Sequence, residues 1–266
     1  MPRPIRSLRF ALVAACFFLS WRACGEEIEF RAFVQADYRL RDDLHAWRNT
    51  AAVLGTIVRE RFGSSIAPVI RVNHPPEGFV ALLQMPAKKS GALRVLYLAS
   101  HVEADGTILF SNRTKMLPGD LAARLDGRSG FWSPDVVIAD TCHAASFAYD
   151  RRWLGTVEAD HLFSSDTNQL SWELDMTKKK VIHLAKAYPR VFAYLENGLG
   201  ADWDGKVSDL GFRAAKLHVH AGPGAGSHGS GFRRWLQELA EVPKEDVTSR
   251  RFRQSNIIWR SADQLR

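Results

Sequence analysis

Cysteine is scarce in this chain. There are three cysteines among 266 residues, and two of them, Cys16 and Cys24, lie within the first 25 positions. Cys142 is the only cysteine after that segment, so no disulfide can form within the remaining chain. A single cysteine of this kind is either a small apolar side chain of the core or a free thiol that can react.

Long apolar runs are also missing. The apolar run at residues 10–21 is too short for a comfortable transmembrane helix, which needs about 20 residues. Three arginines precede it (Arg3, Arg6 and Arg9), and small residues follow it. This order predicts a signal peptide over residues 1–25, cleaved after its last residue, and therefore an exported protein, periplasmic or secreted.

Two alternatives stay open for the same segment. If it is not cleaved, it remains as a membrane anchor, and Cys24 is the acceptor if the chain is lipidated. Trp21 and Arg22 are unfavourable residues before a lipidated cysteine, which argues against lipidation. With the signal removed, we expect no stable membrane insertion.

The charge is positive but dispersed. Lysine and arginine number 36 against 29 aspartate and glutamate residues, which gives a formal net charge of +7. The densest clusters lie at residues 178–180 and 250–266. Neither belongs to a nucleic-acid-binding motif, so we interpret both as solvated surface and expect no nucleic-acid partner.

Strand and helix patterns alternate along the chain, and no internal repeat interrupts them. Such alternation predicts an α/β fold with a mostly parallel central sheet covered by helices on both faces. Pro189 should kink or break the helix that contains it. We predict strands at 28–34, 67–72, 93–100, 136–139 and 161–164, and helices at 46–62, 79–85, 118–125, 181–195 and 232–240.

Two of the predicted strands end in residues that carry chemistry. His101 follows the strand at 93–100, and Cys142 follows the apolar run that starts at Val136. Ligands of open α/β sheets bind at the carboxyl ends of the strands. A thiol and an imidazole at one such edge suit nucleophilic catalysis.

The sequence blocks around these two residues resemble a known family. LYLASHVEADGTILF (96–110) and DVVIADTCHAAS (135–146) are similar to the two signature blocks of caspase-like cysteine peptidases, which include metacaspases and legumains. The resemblance extends to residues 161–175 and 190–207 and covers roughly residues 28–210. It implies a caspase-like three-layer sandwich over residues 26–240, followed by a basic tail at 241–266.

The resemblance also implies roles for single residues. His101 and Cys142 would form the catalytic dyad of an endopeptidase, and the backbone N–H groups of Val102 and Cys142 would form the oxyanion hole. Asp140 would face the first substrate pocket and favour lysine or arginine there. The substrate would be a peptide or protein, with no cofactor and no metal.

The other side of the substrate pocket would come from two loops. Asp37 and Asp42 lie in the loop after the first strand, where Arg39 and Arg41 leave the sign of its charge open. The second loop, after the strand at 161–164, contributes a serine pair to the predicted substrate contacts (Ser164 and Ser165).

Two departures from the family pattern keep an alternative open. Val102 stands where the family has glycine, and Ala144 and Ala145 stand where it has serine and glycine. A β-branched residue resists backbone angles that glycine permits. The alternative is a weak or inactive caspase-like module that binds a peptide or protein partner. A hydrolase of another fold that uses the same dyad is a third interpretation.

Overall fold

A central sheet organises the chain in the computed structural model, which describes residues 27–38, 45–125, 131–176, 182–221, 231–243 and 255–266. Within these residues the sheet has eight strands. They are β1 (Ile28–Val34), β2 (Val69–Val72), β3 (Leu93–Val102), β4 (Ile108–Leu109), β5 (Lys115–Met116), β6 (Val136–Thr141), β7 (Asp160–Phe163) and β10 (Ile258–Arg260). The remaining two, β8 (Glu173–Asp175) and β9 (Lys206–Ser208), form a separate antiparallel pair.

Helices occupy most of the connections between the strands. They are α1 (His45–Phe62), α2 (Pro76–Gln84), α3 (Pro118–Ala123), α4 (Arg151–Thr156), α5 (Ile182–Ala187), α6 (Pro189–Leu199), α7 (Asp209–Ala221), α8 (Phe232–Glu241) and α9 (Ala262–Leu265). Two 3₁₀ helices, Ala144–Tyr149 and Gly200–Asp202, complete the set.

The strand order along the sheet is β10-β7-β6-β3-β1-β2. All neighbouring strands on this path are parallel except β10, which pairs antiparallel with β7. The hairpin β4-β5 extends antiparallel from the end of β3. The prediction of a mostly parallel α/β sheet is confirmed.

Helices cover both faces of the sheet, as expected for parallel strands whose sequences are continuous apolar runs. The face that carries Tyr97 packs on α1, α7 and α8, and we call it the α1 face. The opposite face carries Leu98 and packs on α2, α3 and α4, and we call it the α2 face. Each fully buried Val, Leu, Ile or Phe contributes about 1.5–3 kcal/mol to folding, so these two layers supply most of the stabilisation.

Two local predictions had different outcomes. Strand β3 continues past the predicted end at Ser100, because His101 pairs with Leu109 and Val102 with Ile108 in the β4 hairpin. The break at Pro189 is confirmed, since α5 ends before it and α6 starts with it. Proline has no N–H to donate and is therefore tolerated only in the first turn of a helix.

The end of the chain contributes to the sheet. Residues 241–266 were expected to be a basic tail, but β10 in this segment pairs with β7. Ser255 is buried and donates its hydroxyl to the Ser164 carbonyl at 2.6 Å. Ile257 lies in the α1-face cluster. Residues 255–260 therefore pack as part of the sheet and its core.

Several sequence predictions lie outside the described residues. They are the signal peptide at 1–25, Asp42 and the lysine cluster at 178–180. Within the part of the chain that the structure describes, every helix is too short or too polar to span a bilayer.

Candidate active site

The pairing of β3 with β6 brings His101 and Cys142 to neighbouring positions. The two strands are parallel, and their last paired residues are Ser100 and Thr141. His101 and Cys142 each come one residue later. Because neighbouring strands lie about 4.8 Å apart, the two residues reach the same edge of the sheet side by side.

The same two residues belong to the same face. Side chains alternate along a strand, and Tyr97 and Ala99 of β3 lie in the α1-face cluster. Ile138 of β6 lies in that cluster too. Continuing this alternation by two residues from Ala99, and by four residues from Ile138 to the position just after β6, places the side chains of His101 and Cys142 on the α1 face.

Tyr38 holds the end of β3 in place. Its ring centroid lies 4.6 Å from that of His101, with the rings tilted by 53°. Its hydroxyl accepts the His101 N–H at 2.9 Å and donates to the Leu109 carbonyl at 3.1 Å. Burial raises the pKa of Tyr38 to about 12, and the nearby Cys142 sulfur adds to the rise once its thiol is ionised at high pH. The phenol is therefore neutral at neutral pH and packs beside both predicted catalytic residues.

The Cys142 thiol is free, half-buried and in its protonated form. Its sulfur lies 3.8 Å from the Ser171 carbonyl oxygen, to which it donates. Burial raises the pKa of Cys142, and the Asp140 carboxylate raises it further, while backbone hydrogen bonds offset only part of the rise. A thiolate, not a thiol, is the effective nucleophile. Catalysis at this residue therefore requires a base or a change in its surroundings.

The chain turns sharply after Cys142. His143 has a φ of 54°, in the left-handed region that few residues other than glycine adopt. Its N–H donates to the Gln169 carbonyl at 2.8 Å, and its Nδ1 lies 2.6 Å from the Thr167 carbonyl oxygen. These contacts agree with a structural role for His143 rather than a role as the base.

Ser164 and Ser165 stabilise this turn by hydrogen bonds to its backbone. Both are buried, and both hydroxyls donate to the Thr141 carbonyl, at 3.3 and 2.8 Å. The Ser165 hydroxyl also accepts the Ala144 N–H at 2.9 Å. Their predicted contact with substrate is therefore corrected: the hydroxyls already bind the backbone on either side of Cys142, and they hold the turn that carries it.

Asp140 is enclosed by hydroxyl groups. Tyr97 and Ser208 donate to its Oδ2 at 2.9 and 2.6 Å, and Ser171 donates to its Oδ1 at 3.0 Å. Burial raises the pKa of this carboxyl, and the hydroxyl donors, Ser208 first, oppose the rise. No lysine, arginine or histidine in the described ranges forms an ion pair with it.

The predicted position of Asp140 in an open pocket needs correction. The residue has no exposed surface, because Ser171 and Ser208 close over its carboxylate. Asp140 is therefore buried, and Ser171 contacts it through its hydroxyl and the Cys142 sulfur through its backbone carbonyl.

The backbone at Val102 has a strand conformation that does not require glycine. Its side chain is buried in the α2-face cluster, and its φ is not among the positive values of the described residues. The N–H groups of His101 and Glu103 both point toward the β4 hairpin, to Tyr38 and Thr107. Because N–H groups alternate in direction along a strand, the Val102 N–H points the other way, toward β6. The valine therefore does not by itself misdirect this donor.

The remaining predicted residues are less informative. Asp37 is exposed after β1, and its N–H donates to the Asn73 side chain at 2.9 Å. Among the described residues, no group of three or more His, Cys, Asp or Glu side chains is arranged to hold a metal ion.

Sequence reasoning missed Tyr38 and Ser171, which make the most direct contacts with the predicted dyad. The signal for Tyr38 was an aromatic residue just after β1, whose end meets the edge that carries His101. Ser171 had no comparable signal, because its two contacts depend on how the loop at 164–172 folds back over β6.

Comparison with known proteins gives limited information. No protein-family model matches the chain, and none of the curated proteins matches it. Among solved structures, it is similar to the crystal structure of caspase-1 from Spodoptera frugiperda, at 12% sequence identity and a TM-score of 0.41. The match covers 69% of this chain and 81% of the caspase chain. A likeness of that size assigns no activity or substrate to this protein, and the metacaspase or legumain grouping stays a prediction.

Proposed function

We propose that this protein is a cysteine peptidase in which Cys142 is the nucleophile and His101 the acid and base. The observation that carries the proposal is the register of β3 and β6, in which the two residues directly follow the paired Ser100 and Thr141. Tyr38 supports it, because one ring packs on His101 and lies near the Cys142 sulfur.

The chemistry follows from these positions. His101 takes the thiol proton, and the Cys142 thiolate attacks the carbonyl carbon of a peptide bond. The N–H groups of Val102 and Cys142 stabilise the oxyanion that forms. The protonated imidazole then gives its proton to the leaving amine, and water hydrolyses the acyl-enzyme with His101 as base.

Asp140 supports a preference for lysine or arginine before the scissile bond. A buried carboxylate is costly unless it is paired, and the described residues offer it hydroxyl donors only. A substrate ammonium or guanidinium group in place of the Ser171 hydroxyl would supply the missing positive charge. This preference rests on the peptidase proposal.

A second candidate is a non-catalytic module that binds a peptide or protein partner at the same edge of the sheet. One observation favours it: the Cys142 thiol is half-buried with a raised pKa, as in an unreactive structural cysteine. The two candidates differ in whether Cys142 and His101 are required for turnover.

The test is hydrolysis of fluorogenic peptides ending in Arg, Lys, Asn or Asp. Activity on Arg or Lys peptides that disappears in both Cys142→Ala and His101→Ala, and persists in His220→Ala at an exposed histidine of α7, supports the peptidase. Cleavage after Asn or Asp keeps the dyad and rejects the role of Asp140. No cleavage by folded protein favours the binding module.

We also propose that the chain is exported and loses residues 1–25. The support is the arginine-rich start followed by a short apolar run. Intact-mass measurement of protein recovered outside the cytoplasm tests this. A mature chain that starts at Glu26 is expected, and a recovered chain that still carries residues 1–25 would reject cleavage.

A further inference from the structure

Ser171 contacts both of the groups on which the proposed reaction depends. Its hydroxyl donates to Asp140 Oδ1 at 3.0 Å, and its carbonyl oxygen lies 3.8 Å from the Cys142 sulfur. The residue is itself buried, at 6% relative exposure, next to Leu170 at 45%. Ser171 therefore contacts both the Asp140 carboxylate and the Cys142 thiol.

The neighbours of Ser171 are fixed, which confines any movement to a short piece of chain. On one side, the Gln169 carbonyl accepts the His143 N–H, and the Gln169 side chain accepts the Asn256 N–H. On the other, the Trp172 carbonyl accepts the Asp209 N–H at 2.9 Å. Residues 170–171 lie between these anchors, so turning Ser171 leaves the rest of the loop in place.

We infer that Ser171 couples recognition of a basic substrate side chain at Asp140 to release of the Cys142 thiol. This inference rests on the proposed function and adds a positioning residue to it. A guanidinium or ammonium group that reaches Asp140 must take the place of the Ser171 hydroxyl. The same displacement turns the Ser171 carbonyl away from the Cys142 sulfur.

Electrostatics act mainly in the same direction. Burial raises the pKa of Cys142 most, a backbone hydrogen bond from Ser171 lowers it, and the Asp140 charge raises it. A cation paired with Asp140 cancels the effect of that charge, and removal of the Ser171 cover reduces the burial of the sulfur, while loss of the Ser171 backbone hydrogen bond opposes these two effects. The thiolate fraction then rises when a basic side chain is in place, so that the nucleophile is activated by the correct substrate.

The test uses the full chain and measures the rate of Cys142 alkylation by iodoacetamide across pH 6 to 10. N-butylguanidinium serves as the probe, and N-butylurea, which has the same shape without the charge, serves as its control. We expect the cation to raise the rate near neutral pH by about three- to tenfold, which corresponds to a fall of about half to one unit in the thiol pKa. N-butylurea should leave the rate unchanged.

Single-residue variants distinguish the coupling through Ser171 from a general loss of packing around Cys142. Ser171→Ala should raise the rate without the probe and shift the pH profile downward. Tyr97→Phe is the matched control, because it also removes one hydroxyl from Asp140 but is remote from the Ser171 carbonyl contact. Asp140→Asn should abolish the response to N-butylguanidinium.

The outcomes are distinct. Equal alkylation rates of the folded wild type with and without the cation overturn the coupling, even if a variant fails to fold. Peptide cleavage after arginine without any acceleration of alkylation rejects the coupling and keeps the peptidase. Acceleration without cleavage of any peptide keeps the coupling and rejects the peptidase.

Discussion

The phenol hydroxyl of Tyr38 accepts the backbone N–H of His101 at 2.9 Å while its ring packs against the imidazole at 4.6 Å. The same hydroxyl donates to the Leu109 carbonyl, so that one side chain ties the loop after β1 to the end of β3 and to the β4 hairpin. The position of the proposed base therefore depends on a residue 63 positions earlier in the chain.

Tyr38→Phe removes the hydroxyl and keeps the ring. We expect kcat/KM for the preferred peptide to fall about tenfold, which corresponds to about 1.4 kcal/mol, because the His101 N–H loses its partner and the imidazole shifts. The free energy of unfolding should fall by about 1–3 kcal/mol. Tyr149→Phe, at a tyrosine that is 78% exposed, is the control. Unchanged kcat/KM in Tyr38→Phe would show that Tyr38 does not position the base.

Val102→Gly tests whether the oxyanion donor needs glycine. Val102 has an ordinary strand conformation with its side chain in the α2-face cluster. The substitution should therefore lower the free energy of unfolding by about 2–4 kcal/mol, from lost burial and added chain entropy. It should not raise kcat by more than about twofold. A large gain in kcat would show that the valine misdirects the donor.

His161 should make stability depend on pH. It is buried, accepts the Trp153 indole N–H at 3.0 Å, and its Nδ1 faces the Ala159 carbonyl at 2.9 Å, so the ring is neutral. Burial lowers its pKa to about 4. The unfolded chain binds this proton first as the pH falls, so stability is full above about pH 6.5 and is lost between about 6.5 and 4. The loss is about 3 kcal/mol.

Denaturant unfolding at several pH values between 7.5 and 4 measures this dependence. His161→Phe removes the titrating group and should flatten the curve in that window, even if its stability at pH 7.5 is lower. His74→Phe, at a histidine outside the core clusters, is the control and should keep the wild-type slope. Equal slopes in wild type and His161→Phe would contradict the buried, neutral state of His161.

A buried ion pair on β1 should be sensitive to loss of either partner. Arg31 Nη2 lies 2.6 Å from Glu29 Oε1, both side chains are 1% exposed, and the guanidinium also donates to the Leu82 carbonyl. Arg31→Met should cost about 3–5 kcal/mol, because it leaves Glu29 buried without its counter-charge. Lys115→Met at the exposed pair with Glu103 should cost about 1 kcal/mol or less. Thermal unfolding of the two variants compares these costs.

The sequence pattern predicted the parts of the fold that depend on local periodicity. Strand β1 was predicted at its observed bounds, and α8 within one residue, because alternation and helical spacing are properties of short windows. Strand β10 was missed, since three residues of mixed character become a strand only by pairing with β7.

The candidate site likewise has one part that the sequence predicted and one part that it could not predict. The common position of His101 and Cys142 at one edge of the sheet could be predicted, because each follows a strongly apolar strand and parallel strands end at a common edge. The enclosure of Asp140 was not predictable, because its donors include Tyr97 and Ser208, which lie 43 and 68 positions away. Only the folded chain brings those hydroxyls together.

The pairing of Cys142 with His101 is tested most directly by covalent labelling with a peptidyl-arginyl chloromethyl ketone, followed by mass spectrometry of the peptide that carries the adduct. The proposed dyad predicts a single adduct on Cys142 that forms faster than alkylation by iodoacetamide, and that slows strongly in His101→Ala while the variant stays folded. An unlabelled Cys142 in folded protein, or equally fast labelling in His101→Ala, would contradict the dyad.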